Sequence, residues 1–268
     1  MSGGSGKKPT TSAPVIAERA GPVLRLTIDS PQTRNALSDA IMLALTDALR
    51  GVRGDRDLRV VVVTGSGDKA FCAGASLKPA AKTFEVDHAT PNTFFADLLR
   101  EAKACTTPLV ARVNGTCLAG GMGLLAMCDM AVAARGAKFG LPEVRIGLFP
   151  MQVLALLKDI VPRRKLDELC FTGEMIEADD ALALGLLNYV VAEDQLDAKV
   201  DWLVARIVDK SPTAIRRGKY ALRAMEHMTF DQSLAFAEAQ IGTLAMSEDA
   251  VEGLAAFNEK RKPNWTGR

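Results

Sequence analysis

Histidine is almost absent from this chain, which has only His88 and His227 among its 268 residues. Most catalytic triads and many metal sites need a well-placed imidazole. Neither histidine lies in a recognisable motif, so we expect both to be surface or helix residues. The scarcity of histidine therefore argues against triad and metal chemistry.

Paired cysteines, an excess of one charge and long apolar runs are also missing. The five cysteines form no CxxC pair, so neither a disulfide framework nor a zinc site is indicated, and a cytoplasmic location is favoured. The net charge of +1 gives no attraction to nucleic acid or to an acidic membrane surface. The apolar runs at 60–63 and 153–157 are far shorter than the ~20 residues that cross a bilayer. We therefore expect no nucleic-acid and no membrane partner, and any anionic ligand must be bound by local groups.

Apolar residues, in contrast, make up 48% of the chain, which is enough for a large core and excludes a disordered protein. The length corresponds to roughly two domains at ~150 residues each. Residues 1–14 are rich in Gly, Ser, Thr and Pro and lack the apolar stretch of a signal peptide. We interpret them as a flexible leader.

Hydrophobic periodicity divides the chain into a strand-rich part and a helical part. Apolar alternation or uninterrupted β-branched runs predict strands at 23–29, 58–63, 109–113 and 131–134. Ser38 is a plausible N-cap for a helix that Gly51 and Gly54 are expected to end. After Pro150, spacings of three and four predict helices over 153–161, 163–171, 178–184, 196–225 with a break near Pro212, 232–244 and 249–260. With four or five strands before residue 140, the pattern predicts an α/β protein with a helical C-terminal third.

Two glycine-rich stretches follow buried strands. The first, from Gly65 to Ala70, matches the GxGxxA form of the dinucleotide pattern, with Glu85 fifteen residues further on. A dinucleotide fold needs a helix to begin inside the glycines, whereas these lead into the irregular stretch 71–75. No Gly-Lys-Ser/Thr follows, so a P-loop is not expected either. A solvated turn after a central strand is the better interpretation.

The second glycine stretch, from Leu118 to Gly123, lies between a strand and an apolar helical segment. Such a junction frees N–H groups at the start of a helix, although small residues there can equally serve a tight crossover. Because both glycine loops follow parallel-type strands, each can deliver one N–H group. Two convergent N–H groups make an oxyanion hole for a thioester or ester carbonyl.

Five sequence blocks carry a resemblance that covers nearly everything from residue 15 to the C-terminus. They are RNAL at 34–37, KAFCAGASLK at 69–78, NG at 114–115 with LAGG at 118–121, FGLPEVRIG at 139–147 and AFNEKRKPNW at 256–265. In this order and spacing the blocks resemble the enoyl-CoA hydratase/isomerase (crotonase) family. The resemblance implies an acyl-CoA thioester as substrate, with coenzyme A arriving as part of it and no permanently bound cofactor.

The fold that the resemblance implies is a crotonase-like spiral of ββα units, in the α/β class, with a C-terminal helical trimerisation region. We expect 1–14 to be the leader, 15–200 the spiral core, and 201–268 a helical region that covers CoA and drives oligomerisation. The expected assembly is a homotrimer or a dimer of trimers.

The same resemblance implies that the N–H groups of Ala75 and Gly120 form the oxyanion hole and that Glu143 transfers the proton. Other matched positions are implied to bind CoA. Backbone around Ala73, Ser76 and Leu77 would cradle the adenine and pantetheine, Arg34 and Lys78 would approach the phosphates, and Phe257 and Lys260 would cover the CoA of the same or a neighbouring subunit.

Position 123 departs from the hydratases of the family, which use two glutamates. The water-activating glutamate would stand three residues after Gly120, where this chain has Gly123. Overall resemblance favours an enoyl-CoA hydratase, whereas a single remaining glutamate, Glu143, favours a Δ3,Δ2-enoyl-CoA isomerase. A homologue that binds acyl-CoA without turnover is a third interpretation. Dienoyl isomerisation is not expected, because Met151 stands where that reaction needs an aspartate.

Three further residues near the expected site receive structural interpretations. Asp129 could replace the missing acid, but Asp is common at helix-to-strand turns because of its local backbone bonds. Cys72 and Cys117 have no histidine within their blocks, so nucleophilic catalysis is not expected.

Overall fold

A computed structural model describes residues 13–77, 88–89 and 92–268. Lys78, Glu85 and most of the predicted leader lie outside these residues. The strands are β1 (Val15–Ala20), β2 (Val23–Ile28), β3 (Val60–Gly65), β4 (Ala70–Cys72), β5 (Leu109–Val113), β6 (Thr116–Leu118), β7 (Met130–Ala134), β8 (Lys138–Gly140), β9 (Met175–Glu177) and β10 (Tyr189–Val191). The helices are α1 (Asp39–Gly54), α2 (Phe94–Ala104), α3 (Gly120–Ala126), α4 (Leu154–Leu157), α5 (Arg163–Thr172), α6 (Ala178–Ala183), α7 (Leu196–Val208), α8 (Pro212–Met225), α9 (Phe230–Ala245) and α10 (Glu248–Asn258).

The strands form two sheets. The first has the order β1-β2-β3-β5-β7-β10, in which β1 and β2 are antiparallel and all later pairs are parallel. The second has the order β4-β6-β8-β9, in which only the β8–β9 pair is antiparallel.

A repeated succession of elements connects the two sheets. A strand of the first sheet is followed by a short strand of the second and then by a helix, as in β3-β4-α2 and β5-β6-α3, and β7-β8 begins a third unit. The strands β4, β6 and β8 are parallel neighbours, so their C-terminal ends lie at one edge of the second sheet. Three successive units therefore deliver three loops to the same edge.

Strand β3 shows why its sequence is an unbroken run of valines. Val61 and Val63 belong to the main core with α1 and α2, whereas Val60 and Val62 belong to a second core under α7. Alternate residues of a strand point to opposite faces, and both faces of β3 are covered. All four valines are therefore buried, with at most 1% exposed.

The predictions are confirmed for most elements, including the short strands at 109–113 and 131–134 and the short helix α6, and they miss the three-residue strands and overextend α4. The Ser38 hydroxyl caps α1 by accepting from the N–H of Ile41, but the helix continues through Gly51 to Gly54. Eight described strands, rather than four or five, lie in the first 140 residues, because β4, β6 and β8 have three residues each and leave no period-two pattern. The helix predicted over 153–161 is reduced to the single turn α4.

The C-terminal helices α8, α9 and α10 pack on one another. The outer side of this layer has large apolar side chains that are between 64% and 81% exposed, namely Leu222, Phe230, Ile241, Met246, Leu254 and Phe257. The expected boundary at residues 200 and 201 lies inside α7, whose Leu203 and Val204 pack on the first sheet. No helix in the described part of the chain is long and apolar enough to cross a membrane.

Candidate active site

Three residues predicted to carry the chemistry follow the ends of the three parallel strands of the second sheet. Ala75 follows β4 by three residues, Gly120 follows β6 by two, and Glu143 follows β8 by three. The loops are joined by the N–H of Ala119, which donates to the Gly140 carbonyl oxygen at 3.0 Å. The structure thus brings the three predicted residues to the same edge of one sheet.

The loop around Ala75 is fixed by backbone hydrogen bonds. The N–H of Leu37 donates to the Gly74 carbonyl at 2.7 Å, and the N–H of Ser76 donates to the Leu37 carbonyl at 2.8 Å. Gly74 has a φ of +97°, and a Cβ atom placed on it would lie 2.6 Å from the Cβ of Ala119. Only glycine fits there, because a side chain would meet both a strained backbone and the start of α3.

The N–H groups of Ala75 and Gly120 are close neighbours. A Cβ atom placed on Gly120 would lie 3.6 Å from the Ala75 nitrogen, and one placed on Gly74 would lie 3.4 Å from the Gly120 nitrogen. Ala119, with a φ of 51°, turns the chain from β6 into α3. Neither N–H donates a hydrogen bond to any residue that the structure describes. Two unpaired donors side by side can stabilise an oxyanion that forms between them.

Glu143 lies in the short 3₁₀ turn Pro142–Ile146 that follows β8. Its Oε2 atom is buried and has no hydrogen-bond partner within residues 13–77, 88–89 and 92–268. Burial raises the pKa of this carboxyl group, and a smaller effect of a backbone hydrogen bond opposes the rise. A buried carboxylate oxygen without a partner is unfavourable for folding, so Glu143 has the features of a functional group.

Asn35 organises the loop before β4, a role that its place in the RNAL block did not indicate. Its side chain is buried, and its Nδ2 donates to the carbonyl oxygens of Ala70 at 2.8 Å and Ser66 at 3.0 Å. Its Oδ1 accepts from the Ser30 N–H at 3.1 Å. Directly after the neighbouring strand β5, Nδ2 of Asn114 donates to the Gly67 carbonyl at 2.7 Å. The two asparagines therefore fix the turn that leads into β4.

Phe95 occupies the space in front of Gly123, and nothing in the sequence pattern singled it out. A Cβ atom placed on Gly123 would lie 2.7 Å from Cζ of Phe95 and 3.4 Å from Cγ2 of Val153. Both neighbours are buried, with 9% of Phe95 and 3% of Val153 exposed. No side chain can therefore be added at position 123 unless the aromatic ring moves.

The residues predicted to bind CoA lie in two places. Beside the Ala75 loop are Arg34, Ala73, Ser76 and Leu77. The N–H of Ala73 donates to the Arg34 carbonyl at 3.0 Å, and the side chains of Arg34 and Leu77 are exposed. Phe257 and Lys260 lie at the end of α10, in the C-terminal layer, and 81% of Phe257 is exposed. Lys78 is outside the described residues.

The alternative sites considered from the sequence lose their geometric basis. The strand β4 follows the glycines at 65 and 67, so no helix begins there as a dinucleotide site requires. Burial raises the pKa of the Cys72 thiol to about 12 and that of Cys117 well above its ordinary value, which leaves both as unreactive thiols. No group of three or more His, Cys, Asp and Glu side chains that could hold a metal occurs among the described residues.

Asp129 has the structural role that the sequence favoured. Its carboxylate accepts from Nζ of Lys219 at 2.5 Å and from the N–H of Leu109 at 2.7 Å. Arg223 approaches the other carboxylate oxygen at 3.3 Å. These partners occupy Asp129, so it does not replace the glutamate that is missing at position 123.

Known proteins are similar in sequence to this chain over almost its whole length. The family model described as Enoyl-CoA hydratase/isomerase matches residues 18–268. The chain is 35% identical over 256 residues to the carnitinyl-CoA dehydratase of Salmonella enteritidis PT4, a match that covers 93% of this chain and 97% of that relative.

Solved structures share the fold. The enoyl-CoA hydratase of Mycobacterium smegmatis superposes with a TM-score of 0.87 at 35% identity, covering 95% of this chain and 99% of the other. The enoyl-CoA hydratase of Bacillus anthracis gives a TM-score of 0.88 at 27% identity, covering 95% and 100%. The fold is therefore that of a crotonase-type α/β protein, as predicted from the sequence blocks. The chain belongs to the enoyl-CoA hydratase/isomerase family, and the expectation of an enzyme of this type is confirmed by its relatives.

Proposed function

We propose that the protein catalyses the reversible hydration of a 2-enoyl-CoA thioester, with Glu143 as the one carboxylate that moves protons. The observation that carries the proposal is the buried, unpartnered Oε2 of Glu143 at the same sheet edge as two unpaired N–H groups. The similar proteins named above support hydration as the overall reaction.

The proposed steps need one carboxylate and one oxyanion hole. Glu143 takes a proton from the water whose oxygen bonds to C3 of the acyl group. The electron pair of the C2–C3 double bond moves toward the thioester, and the N–H groups of Ala75 and Gly120 stabilise the resulting enolate. Glu143 then returns its proton to C2, which restores the carboxylate. Removing one oxyanion donor typically costs ~3 kcal/mol of transition-state stabilisation.

The environment of Glu143 supports its use as both base and acid. Burial raises its pKa, which brings the carboxyl group closer to the pH at which it must first accept and then release a proton. We expect the acid limb of the pH profile of kcat/KM to lie above the pKa of an ordinary glutamate, with activity rising as Glu143 loses its proton.

The CoA part of the substrate is assigned to the loop around Ala75. The exposed Arg34 beside this loop supplies a cation for the phosphates, and Lys78 is assigned the same role from the sequence. The exposed Phe257 and Lys260 are assigned to CoA in an assembled homotrimer or dimer of trimers. The apolar outer side of the C-terminal layer supports such an assembly.

A second candidate reaction is the isomerisation of a 3-enoyl-CoA to a 2-enoyl-CoA, and a specific contact favours it. The Phe95 ring fills the place of a side chain at position 123, so the described site has a single acid–base carboxylate. One carboxylate is sufficient for isomerisation, because it removes a proton from C2 and returns it to C4.

Turnover measurements with two substrates test the proposal. Crotonyl-CoA loses the ultraviolet absorbance of the conjugated enoyl thioester when it is hydrated, whereas 3-hexenoyl-CoA gains that absorbance when it is isomerised. Glu143→Gln is expected to lower kcat for the active substrate by about 10²–10⁴-fold. Glu168→Gln, a surface carboxylate paired with Lys165 on α5, is the matched control and should retain wild-type turnover.

Each outcome has a distinct meaning. Turnover of 3-hexenoyl-CoA alone would replace hydration by isomerisation. Wild-type activity in Glu143→Gln would exclude the single-carboxylate mechanism. Binding of both acyl-CoA substrates with turnover of neither would identify a binding protein instead of an enzyme acting on them.

A further inference from the structure

A cavity of about 150 Å³ lies one helical turn beyond the contact between Phe95 and Gly123. It is bounded by α2, α3, the α4 segment and α8. Its lining is mixed: the apolar part includes Leu99, Ala126 and Leu156, and the charged part comprises Lys103, Asp129, Asp159, Arg223 and Glu226. Lys103 and Glu226 of this lining form an ion pair. None of the steps proposed above uses this cavity.

The three segments that meet at Phe95 also line the cavity. Leu99 lies four residues after Phe95 on α2, and Ala126 lies three after Gly123 on α3. Leu156 likewise lies three residues after Val153, the N-cap of α4. Residues three or four apart lie on one face of a helix, so each segment advances by one turn from the Phe95 contact to the cavity. The Phe95 contact and the cavity therefore follow each other in the same direction along all three segments.

The candidate active site lies on the other side of the Phe95 contact. Gly123 lies three positions after Gly120 on α3, which corresponds to about 4.5 Å along the helix axis. Three features therefore follow one another along α3. The N–H of Gly120 comes first, the Phe95 ring lies against Gly123, and the cavity begins at Ala126. An acyl chain that follows α3 away from the thioester meets the ring first.

Polar contacts fix the start of α2, the helix that carries Phe95. The Thr93 hydroxyl caps α2 by accepting from the N–H of Ala96 at 3.1 Å. It also accepts from Nε2 of Gln152 at 2.6 Å. Gln152 precedes Val153, so this bond ties the first turn of α2 to the segment on the other side of the Gly123 contact. The bond therefore fixes the start of α2, which carries Phe95, beside the segment that contains Val153.

We propose that Phe95 limits the length of the acyl group, because its ring lies between the Gly120 end of the site and this cavity. This inference rests on the proposed function, since it needs an acyl thioester bound at Ala75 and Gly120. The substrate class that follows is a CoA thioester whose acyl group is short enough to end at the ring. Removing the ring would join the site to the cavity and admit further methylene groups.

The test measures binding of unreactive ligands, so that it does not depend on turnover. Calorimetric Kd values are measured for CoA, hexanoyl-CoA and decanoyl-CoA with the wild type, Phe95→Ala and Phe94→Ala. Phe94 is the matched control, because it is adjacent on α2 and 43% exposed. In the wild type and in Phe94→Ala, decanoyl-CoA is expected to bind no more tightly than hexanoyl-CoA, because its additional methylene groups cannot pass the Phe95 ring. In Phe95→Ala, decanoyl-CoA should bind at least tenfold more tightly than hexanoyl-CoA, since each buried methylene contributes about fourfold in affinity.

A second substitution refills the cavity. Phe95→Ala combined with Ala126→Leu should return the decanoyl-to-hexanoyl ratio toward the wild-type value. Where Phe95→Ala does not fold, as judged by circular dichroism, Phe95→Val replaces it with the same expected direction.

Several results would overturn the inference. One is a wild type that already binds decanoyl-CoA tenfold more tightly than hexanoyl-CoA. The others are a ratio of the two Kd values that is unchanged in Phe95→Ala, or one that changes equally in Phe94→Ala. A wild type that binds none of the three ligands would overturn the proposed function together with this inference. Full activity in Glu143→Gln would exclude only the single-carboxylate mechanism and leave the chain-length limit standing.

Discussion

At the scale of single residues, Glu143 is placed where it weakens the fold. Its Oε2 is buried without a hydrogen-bond partner in the described chain, and burial raises its pKa. The unfolded chain therefore releases this proton at a lower pH than the folded chain does. The stability that the protonated group contributes is complete below the pKa of the unfolded state and is lost as the pH rises through the pKa of the folded state.

Glu143→Gln should therefore unfold at a higher temperature than the wild type at pH ~7, with the difference vanishing toward pH ~4, because glutamine has no proton to lose. Thermal unfolding followed by circular dichroism at both pH values checks this. Glu18→Gln, an exposed position on β1, should leave the melting temperature unchanged at both. A lower melting temperature for Glu143→Gln at pH ~7 would show that the carboxylate has a stabilising partner in the folded protein.

Single residues also mark the limit of what could be predicted from the sequence. Ala75, Gly120 and Glu143 could be selected because they occupy fixed places in blocks that resemble a family. Phe95 could not, since its importance comes from a contact with Gly123 on another helix. Asn35 belongs to the RNAL block, but its structural role could not be predicted, because its hydrogen bonds to Ser66 and Ala70 depend on how distant segments pack.

At the scale of elements, two cations of α8 fasten that helix to its neighbours, Arg223 at the C-terminal end of α2 and Lys219 at the loop after α2 and the turn before β7. The Lys219 Nζ donates to the Thr107 carbonyl at 2.9 Å and to Asp129, and Arg223 donates to the carbonyl oxygens of Ala102 and Cys105 at 3.1 and 3.0 Å. Cations are favoured near a helix C-terminus, where carbonyl groups lack partners. Since Lys219 is 8% exposed, burial lowers its pKa, and the nearby Asp129 opposes that shift.

We expect Lys219→Met to lower the free energy of unfolding by about 1–3 kcal/mol, less than a fully buried pair loses, because Asp129 keeps Arg223 as a partner. Urea denaturation measures the change. Lys210→Met is the control, since Lys210 and Asp209 form an exposed pair that contributes little. Equal effects of the two substitutions would mean that the buried contact adds nothing beyond a surface pair.

Helices and strands differ in how well they can be predicted from their sequences. The apolar residues of α1 recur over several helical turns, and the valine run of β3 spans most of the strand, so both patterns predict their structures directly. The three-residue strands of the second sheet cannot be predicted that way, because their pairing is imposed by neighbouring units. The elements that position the site are therefore the least visible in the sequence.

At the scale of the whole molecule, the C-terminal layer presents more exposed apolar surface than an isolated chain would favour. Its exposed side chains include Ile241 on α9 and Leu254 on α10. Burial of this surface between copies of the chain is the arrangement expected from the sequence.

A double substitution, Ile241→Glu with Leu254→Glu, should convert an oligomer of three or six chains into smaller species, because charged groups disfavour an apolar interface. Size-exclusion chromatography with light scattering measures the mass. Glu238→Gln on α9 should leave the wild-type mass unchanged. A wild type that elutes as a single chain would contradict the expected assembly.

The delivery of one site group by each of three successive units also has a consequence for how the protein acquires activity. Ala75, Gly120 and Glu143 belong to different units and meet only after distant stretches of chain have paired. Such long-range pairing is slow, because the entropy of closing large loops is lost before the contacts form. A refolding chain would therefore gain no partial activity from its first units. After denaturation, turnover should instead return only when the last of the three units has paired with the other two.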